Sequence, residues 1–198
     1  LWKEFDASRA SAPKLKEFHK KLSTLKFLDP ACGCGNFLVI TYRELRLLEL
    51  EILRSSHKSG QGVLDVREIM LLDVDMMCGI EYEEFPARIA EVAMWLIDHQ
   101  MNMQISNEFG QYFVRLPLKK SAKIVHGNAL QMDWENLVPK NELSYIFGNP
   151  PFIGKSNQNV EQKKDMNLVF QGISGIGVLD YVSAWYIKAA QLIQNSKI

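Results

Sequence analysis

The segment FLDPACGCGNF, residues 27–37, lies between a short apolar run, TLKFL at 24–28, and a long stretch whose apolar residues recur at helical spacing. A strand that feeds a helix through such a turn is the opening unit of a parallel α/β sheet. Gly33 and Gly35 carry no Cβ, so the chain can turn sharply and approach a ligand. The helix that begins near Asn36 offers unpaired N–H groups to an anionic group. The pattern is GxG without the third glycine of a dinucleotide site. Asp29 precedes it, and a carboxylate there would repel a pyrophosphate but suit an ammonium group. An amino-acid-like ligand bearing both signs therefore fits better than a dinucleotide.

Outward from the turn, strands and helices alternate. Leu38, Tyr42, Leu45, Leu48 and Ile52 share one face of a helix from Asn36 to about Arg54. SSHKSGQG at 55–62 reads as a surface loop and 63–73 as a further short helix. MCGIE at 77–81 is a second buried strand. Pro86 is placed like a first-turn helix residue with Glu83 and Glu84 before it, and Ile89, Val92, Ala93, Leu96 and Ile97 form an apolar stripe after it. KIVH at 123–126 and LSYIF at 143–147 supply a third and a fourth strand. Residues 153–177, rich in Gly, Asn, Gln and Lys, read as a long loop region, and DYVSAWYIKAAQLI at 180–193 as an amphipathic helix. Before the turn, Pro13 starts a charged amphipathic segment over 13–22. The expected fold is Rossmann-like α/β, a mostly parallel sheet with helices on both faces and ligands at the carboxyl ends of the strands.

Composition narrows the class further. With 198 residues, 47% of them hydrophobic, the chain can bury one substantial core, so a single domain over 1–198 is expected. Lys plus Arg equal Asp plus Glu at 23 each, so summed charge makes no case for nucleic acid and the motifs must. Cys32, Cys34 and Cys78 lack the spacing of a disulfide framework, which points to a reducing, cytoplasmic location. Cys32 and Cys34 have no second pair at zinc spacing and the four histidines are scattered, so no metal site is expected. No apolar run approaches the roughly 20 residues of a membrane span, and LWKEFDASRA has no signal-peptide layout. The abrupt start at Leu1 and the stop inside an amphipathic run at Ile198 read as a piece of something longer, cut short at its C-terminus.

Further sites follow the other strands. Glu81 ends the second strand, where a carboxylate can accept from the vicinal hydroxyls of a ribose, and Tyr82 beside it can lie against an adenine ring. HGNAL at 126–130 and GNPPF at 148–152 follow the third and fourth strands. Taken in order, DPACGCGNF, GIE, HGNAL and NPPF resemble the gamma-type N6-adenine DNA methyltransferases. GIEYEEFPARIAEVAMWLIDHQ at 79–100 is similar to the matching segment of the methyltransferase portion of large single-chain restriction-modification enzymes. The resemblance covers roughly residues 24–195 and implies a class I methyltransferase using S-adenosylmethionine. Its methionine part would be held by Asp29, Pro30, Ala31, Cys32, Gly33, Gly35, Asn36 and Phe37, its ribose by Glu81, and its adenine by Tyr82, Asn128 and Ala129. Relatives commonly have Asp at the position of Asn128, whose amide oxygen can still accept from the adenine amine.

The same resemblance makes Asn149, Pro150, Pro151 and Phe152 the catalytic tetrapeptide. Successive prolines stiffen the chain in an extended form. The lone pair of an exocyclic ring amine is delocalised into the ring. If the Asn149 side-chain oxygen and the Pro150 carbonyl accept its hydrogens, the nitrogen is held nearer tetrahedral and its lone pair can aim at a methyl group. Phe152 offers a face on which a base swung out of duplex DNA can stack, worth about 1–3 kcal/mol. The chain then divides into a helical lead-in at 1–23, a cofactor-binding core at 24–148 and a catalytic motif, loop and helix at 149–198. Sequence choice falls to a separate target-recognition domain, and a nuclease can share the parent chain.

Alternatives remain at this point. A guanine amine in RNA or a protein glutamine poses the same lone-pair problem, and a fragment could hold cofactor without turnover. A dinucleotide oxidoreductase is disfavoured by DPACGCGN. Lys119, Lys120 and Lys123 read as a solvated basic surface. Lys155, Lys163 and Lys164 follow the tetrapeptide and are candidates for contact with the target strand.

Overall fold

The computed structural model describes residues 1–58, 69–110 and 121–194. Helices α1 (Trp2–Ser8) and α2 (Ala12–Ser23) lead into β1 (Phe27–Asp29), which the glycine-rich turn joins to α3 (Asn36–Lys58). Strand β2 (Met77–Glu81), helix α4 (Glu84–Phe109), β3 (Lys123–His126) and β4 (Tyr145–Ile146) follow. Then come α5 (Val160–Val169) and α6 (Ser183–Gln194). The four strands form one parallel sheet in the order β3-β2-β1-β4. Because β2 and β3 extend from one side of β1 and β4 pairs on the other, the order reverses between β1 and β4. The crevice at that switch point is where open α/β sheets bind ligands.

Alternation along the strands sends side chains to two cores, one per face. Phe27 and Met77 join residues of α1 to α4, including Phe18, Leu38, Tyr42 and Met94, in one buried cluster. Leu28, Cys78 and Ile80 join Trp134, Met166, Tyr181 and Trp185 in the other. The sheet is thus sandwiched between α1–α4 and the layer of α5 and α6. On the first face the fully buried Arg46 donates to Tyr42 Oη (2.7 Å), Asp98 Oδ1 (3.0 Å) and Asn102 Oδ1 (2.9 Å), and its Nε lies 3.2 Å from Glu49 Oε2. Glu49 also accepts from the N–H groups of Leu71 and Leu72 and lies 2.9 Å from His19 Nε2. A buried charge is tolerable only when paired in this way. The network fastens α2, α3, α4 and the approach to β2 to one another.

Several boundaries differ from expectation. The helix after the turn continues through Ser55 to Lys58, whereas a loop was expected from 55. Of the short helix expected at 63–73, residues 63–68 lie outside the described residues, Ile69 is helical, 70–73 are not, and a single 3-10 turn follows at Val74–Met76. The largest correction is at 153–177, which contains helix α5 and two 3-10 turns rather than a loop throughout. Its weak apolar period arises because a charged residue, Asp165, shares the buried face with Met166 and Val169. A capping box starts it: Asn159 Oδ1 accepts from Gln162 N–H (2.8 Å) and Gln162 Oε1 from Asn159 N–H (2.9 Å).

Candidate active site

All four strands point their carboxyl ends at one cleft of about 800 Å3. Along the sheet edge its wall runs from Asn149 and Pro151 after β4, through Pro30 and Ala31 after β1, to Glu81 and Tyr82 after β2. Asn128 and Ala129 after β3 complete the wall, and α5 closes one side with Asp165 and Lys164. Eight of the sixteen cofactor and catalytic candidates singled out in the sequence therefore share one cleft, together with Lys164. Asp29, Cys32, Gly33, Gly35, Asn36, Phe37, Pro150 and Phe152 lie outside its lining.

The turn after β1 is built as its glycines require. Gly33 (φ 54°) and Gly35 (φ 84°) take left-handed backbone, and a Cβ on Gly35 would stand 3.3 Å from the Ala90 Cα of α4. Cys32 N–H donates to the Ile80 carbonyl (3.0 Å) and Gly33 N–H to Glu81 Oε2 (2.8 Å), so turn and β2 are tied together. Glu81 Oε1 accepts from Glu83 N–H (3.0 Å). Each Glu81 oxygen keeps lone-pair capacity for a further donor. Asn36 is the first residue of α3, and Phe37, half exposed, leans on Phe147 with ring centroids 6.5 Å apart.

Asp29 is wholly buried. Its Oδ1 accepts from Ala31 N–H (3.0 Å), while Oδ2 has no hydrogen-bond partner among the described residues. Burial pushes its carboxyl up to about 6; the Ala31 N–H opposes the rise and the charge of Glu81 adds to it. Burial likewise pushes the Cys32 thiol up to about 12, so it stays protonated and is a poor nucleophile. Cys34 is exposed. Two acidic groups and an orphaned carboxylate oxygen at this turn suit a cationic ligand group.

Asn128 has more partners than its sequence position revealed. Its Oδ1 accepts from Leu130 N–H (2.9 Å) and its Nδ2 donates to Asp165 Oδ2 (3.0 Å). Asp165, which the sequence reading did not single out, also accepts from Gln131 Nε2 (2.8 Å) and Tyr181 Oη (2.7 Å). The side chain of Asn149 makes no hydrogen bond among the described residues, and the Phe152 ring is 68% exposed. Both are open to an incoming group.

A family model described as the MmeI DNA-methyltransferase domain matches residues 5–198. The chain belongs to the MmeI DNA-methyltransferase domain family. DNA methyltransferase A of Bacillus subtilis (strain 168) is 38% identical over 191 residues, covering 93% of this chain and 21% of that protein. A solved structure of the type IIL restriction-modification enzyme MmeI in complex with DNA superposes on the whole chain with a TM-score of 0.93 and 56% identity. This chain covers 26% of that one. Membership in the MmeI family agrees with the Rossmann-like parallel sheet and with the resemblance carried by the four motifs. No helix among the described residues is long and apolar enough to cross a membrane, and no group of three or more His, Cys, Asp or Glu among them could hold a metal.

Proposed function

We propose that this chain is the catalytic part of an enzyme that transfers the methyl group of S-adenosylmethionine to the N6 amine of adenine in DNA, within a restriction-modification system. The observation that carries the reading is the shared cleft. The glycine-rich turn and the GNPPF corner follow β1 and β4, which are paired through Phe27 with Tyr145 and Leu28 with Ile146 and flank the switch point.

The residues suit the cofactor. Asp29 has a buried, unpartnered oxygen for its ammonium group, Glu81 has free acceptor capacity for its ribose hydroxyls, and Tyr82 offers a ring face to its adenine. Asn128 and Ala129 bound the adenine end, with the carboxylate of Asp165 behind Asn128. When bound, S-adenosylmethionine supplies a methyl group already activated on a sulfonium centre. The chain's task is orientation: Asn149 Oδ1 and the Pro150 carbonyl accept the hydrogens of the target amine, the two prolines keep those acceptors in place, and Phe152 stacks on the extruded base. Sequence choice belongs, in this reading, to a separate target-recognition domain, consistent with the greater length of the relatives, and the enzyme works in the cytoplasm.

Two measurements test the reading. Calorimetry with S-adenosylhomocysteine asks whether the cleft binds the cofactor product. Labelled cofactor offered with DNA, RNA or protein asks where the methyl group goes. Label in DNA supports the proposal, and label in RNA or protein alone refutes it.

A further inference from the structure

Helix α6 and the strap that enters it hold three of the loops that bound the cleft. Asp180 Oδ1 accepts from the N–H of Ile153 (2.9 Å) and of Val182 (3.0 Å). The Ile153 carbonyl accepts from Tyr181 N–H (3.0 Å) and from Gln158 Nε2 (3.0 Å), and the same Gln158 nitrogen donates to the Leu179 carbonyl (3.0 Å). Five residues beyond Asp180, the buried Trp185 donates its Nε1–H to the Pro30 carbonyl at 3.0 Å. Lys188 then donates to the carbonyls of Leu130 (2.9 Å) and Met132.

Ile153 directly follows the tetrapeptide, and Pro30 opens the glycine-rich turn. The corner does little to fix itself: Pro150 and Pro151 have no N–H, the Asn149 side chain makes no hydrogen bond among the described residues, and Phe152 is largely exposed. Ahead of it, Phe147 N–H is bonded to the Leu28 carbonyl (3.0 Å). Behind it, Ile153 makes two hydrogen bonds with the strap, its N–H to Asp180 and its carbonyl from Tyr181, and its carbonyl takes a third from Gln158. We propose that Asp180 and Trp185 are positioning residues, which through Ile153 and Pro30 set the separation between the methyl-donor turn and the acceptor corner. This inference rests on the functional reading of the cleft.

The test uses the full-length protein and the variants Asp180→Ala, Asp180→Asn and Trp185→Phe. Displacing a reacting group by about 1 Å costs on the order of 100-fold in rate, so Asp180→Ala and Trp185→Phe should each lower kcat roughly 10- to 100-fold. The Kd for S-adenosylhomocysteine should stay within about threefold in Asp180→Ala, because the corner rather than the turn has been released. Asp180→Asn retains an oxygen acceptor and should restore kcat. Hydrogen exchange supplies a readout independent of turnover: the Ile153 amide should exchange faster in Asp180→Ala than in the parent. Unchanged exchange at Ile153, unchanged kcat in both disruptive variants, or a loss that Asp180→Asn does not restore overturns the proposal. If Asp180→Ala does not fold, Trp185→Phe and Asp180→Asn decide it by the same kcat criteria. A parent protein that binds S-adenosylhomocysteine but never methylates DNA contradicts the functional reading instead, while Ile153 exchange still judges the clamp.

Discussion

The backbone of Gly148 runs so close to the Asp29 carboxylate that a Cβ built on it would stand 2.5 Å from Oδ1. The residue before the Asn149–Phe152 corner thus lies close against the acid that ends β1. Gly148→Ala must displace Asp29 or the corner. Overpacking of this kind costs about 1–3 kcal/mol, so the urea midpoint should fall. An unchanged midpoint would mean the close approach is not maintained in solution.

If Asp29 meets the ammonium group of the cofactor, its raised carboxyl makes that binding depend on pH. An ammonium group favours the ionised carboxylate, so affinity for S-adenosylhomocysteine should rise as pH climbs through about 6 and level off above it. With roughly a tenth of Asp29 ionised at pH 5, the apparent Kd there should be about tenfold weaker than at pH 7.5. Asp29→Asn should flatten the profile and weaken binding at neutral pH. The sign for stability is opposite. The folded value lies above the ordinary 3.8, so the contribution of this group is fully present below that pH and is lost as pH rises through about 6. Asp29→Asn should therefore leave the ligand-free protein no less stable at pH 8, as read by thermal unfolding.

Lys164 lines the cleft and Lys163 precedes it on α5, the first α-helix after the Asn149–Phe152 corner. If the two meet backbone phosphates of the target strand, reversing both to Glu in the full-length protein should weaken DNA binding and reduce the slope of log K against log salt by about one to two. Binding isotherms at several salt concentrations check this, and an unchanged slope assigns the pair to solvent.

Much of this architecture was legible because strand–turn–helix units advertise themselves locally. The FLDPACGCGNF turn needs glycine for backbone reasons alone, and Pro86 sits in the first turn of the α4 helix as expected. GNPPF follows a strand, as its neighbours imply, although that strand shrank to Tyr145–Ile146. Helix α5 was missed because its buried face is held by Asp165, whose partners Asn128, Gln131 and Tyr181 come from elsewhere in the chain. A local signal did exist in the Asn159/Gln162 capping pair. Asp180 and Trp185 read as ordinary members of an amphipathic helix, since their bonds to Ile153 and Pro30 span 27 and 155 residues. Lys119 and Lys120 lie outside the described residues, and Lys123 begins β3 with its side chain exposed.

The most direct test digests DNA treated with the full-length protein and labelled S-adenosylmethionine to nucleosides, with Asn149→Ala in parallel. Label is expected in N6-methyladenine for the parent protein, with a loss of at least about 100-fold for Asn149→Ala and S-adenosylhomocysteine affinity nearly unchanged. Label on cytosine, or full transfer by Asn149→Ala, would contradict the proposed function.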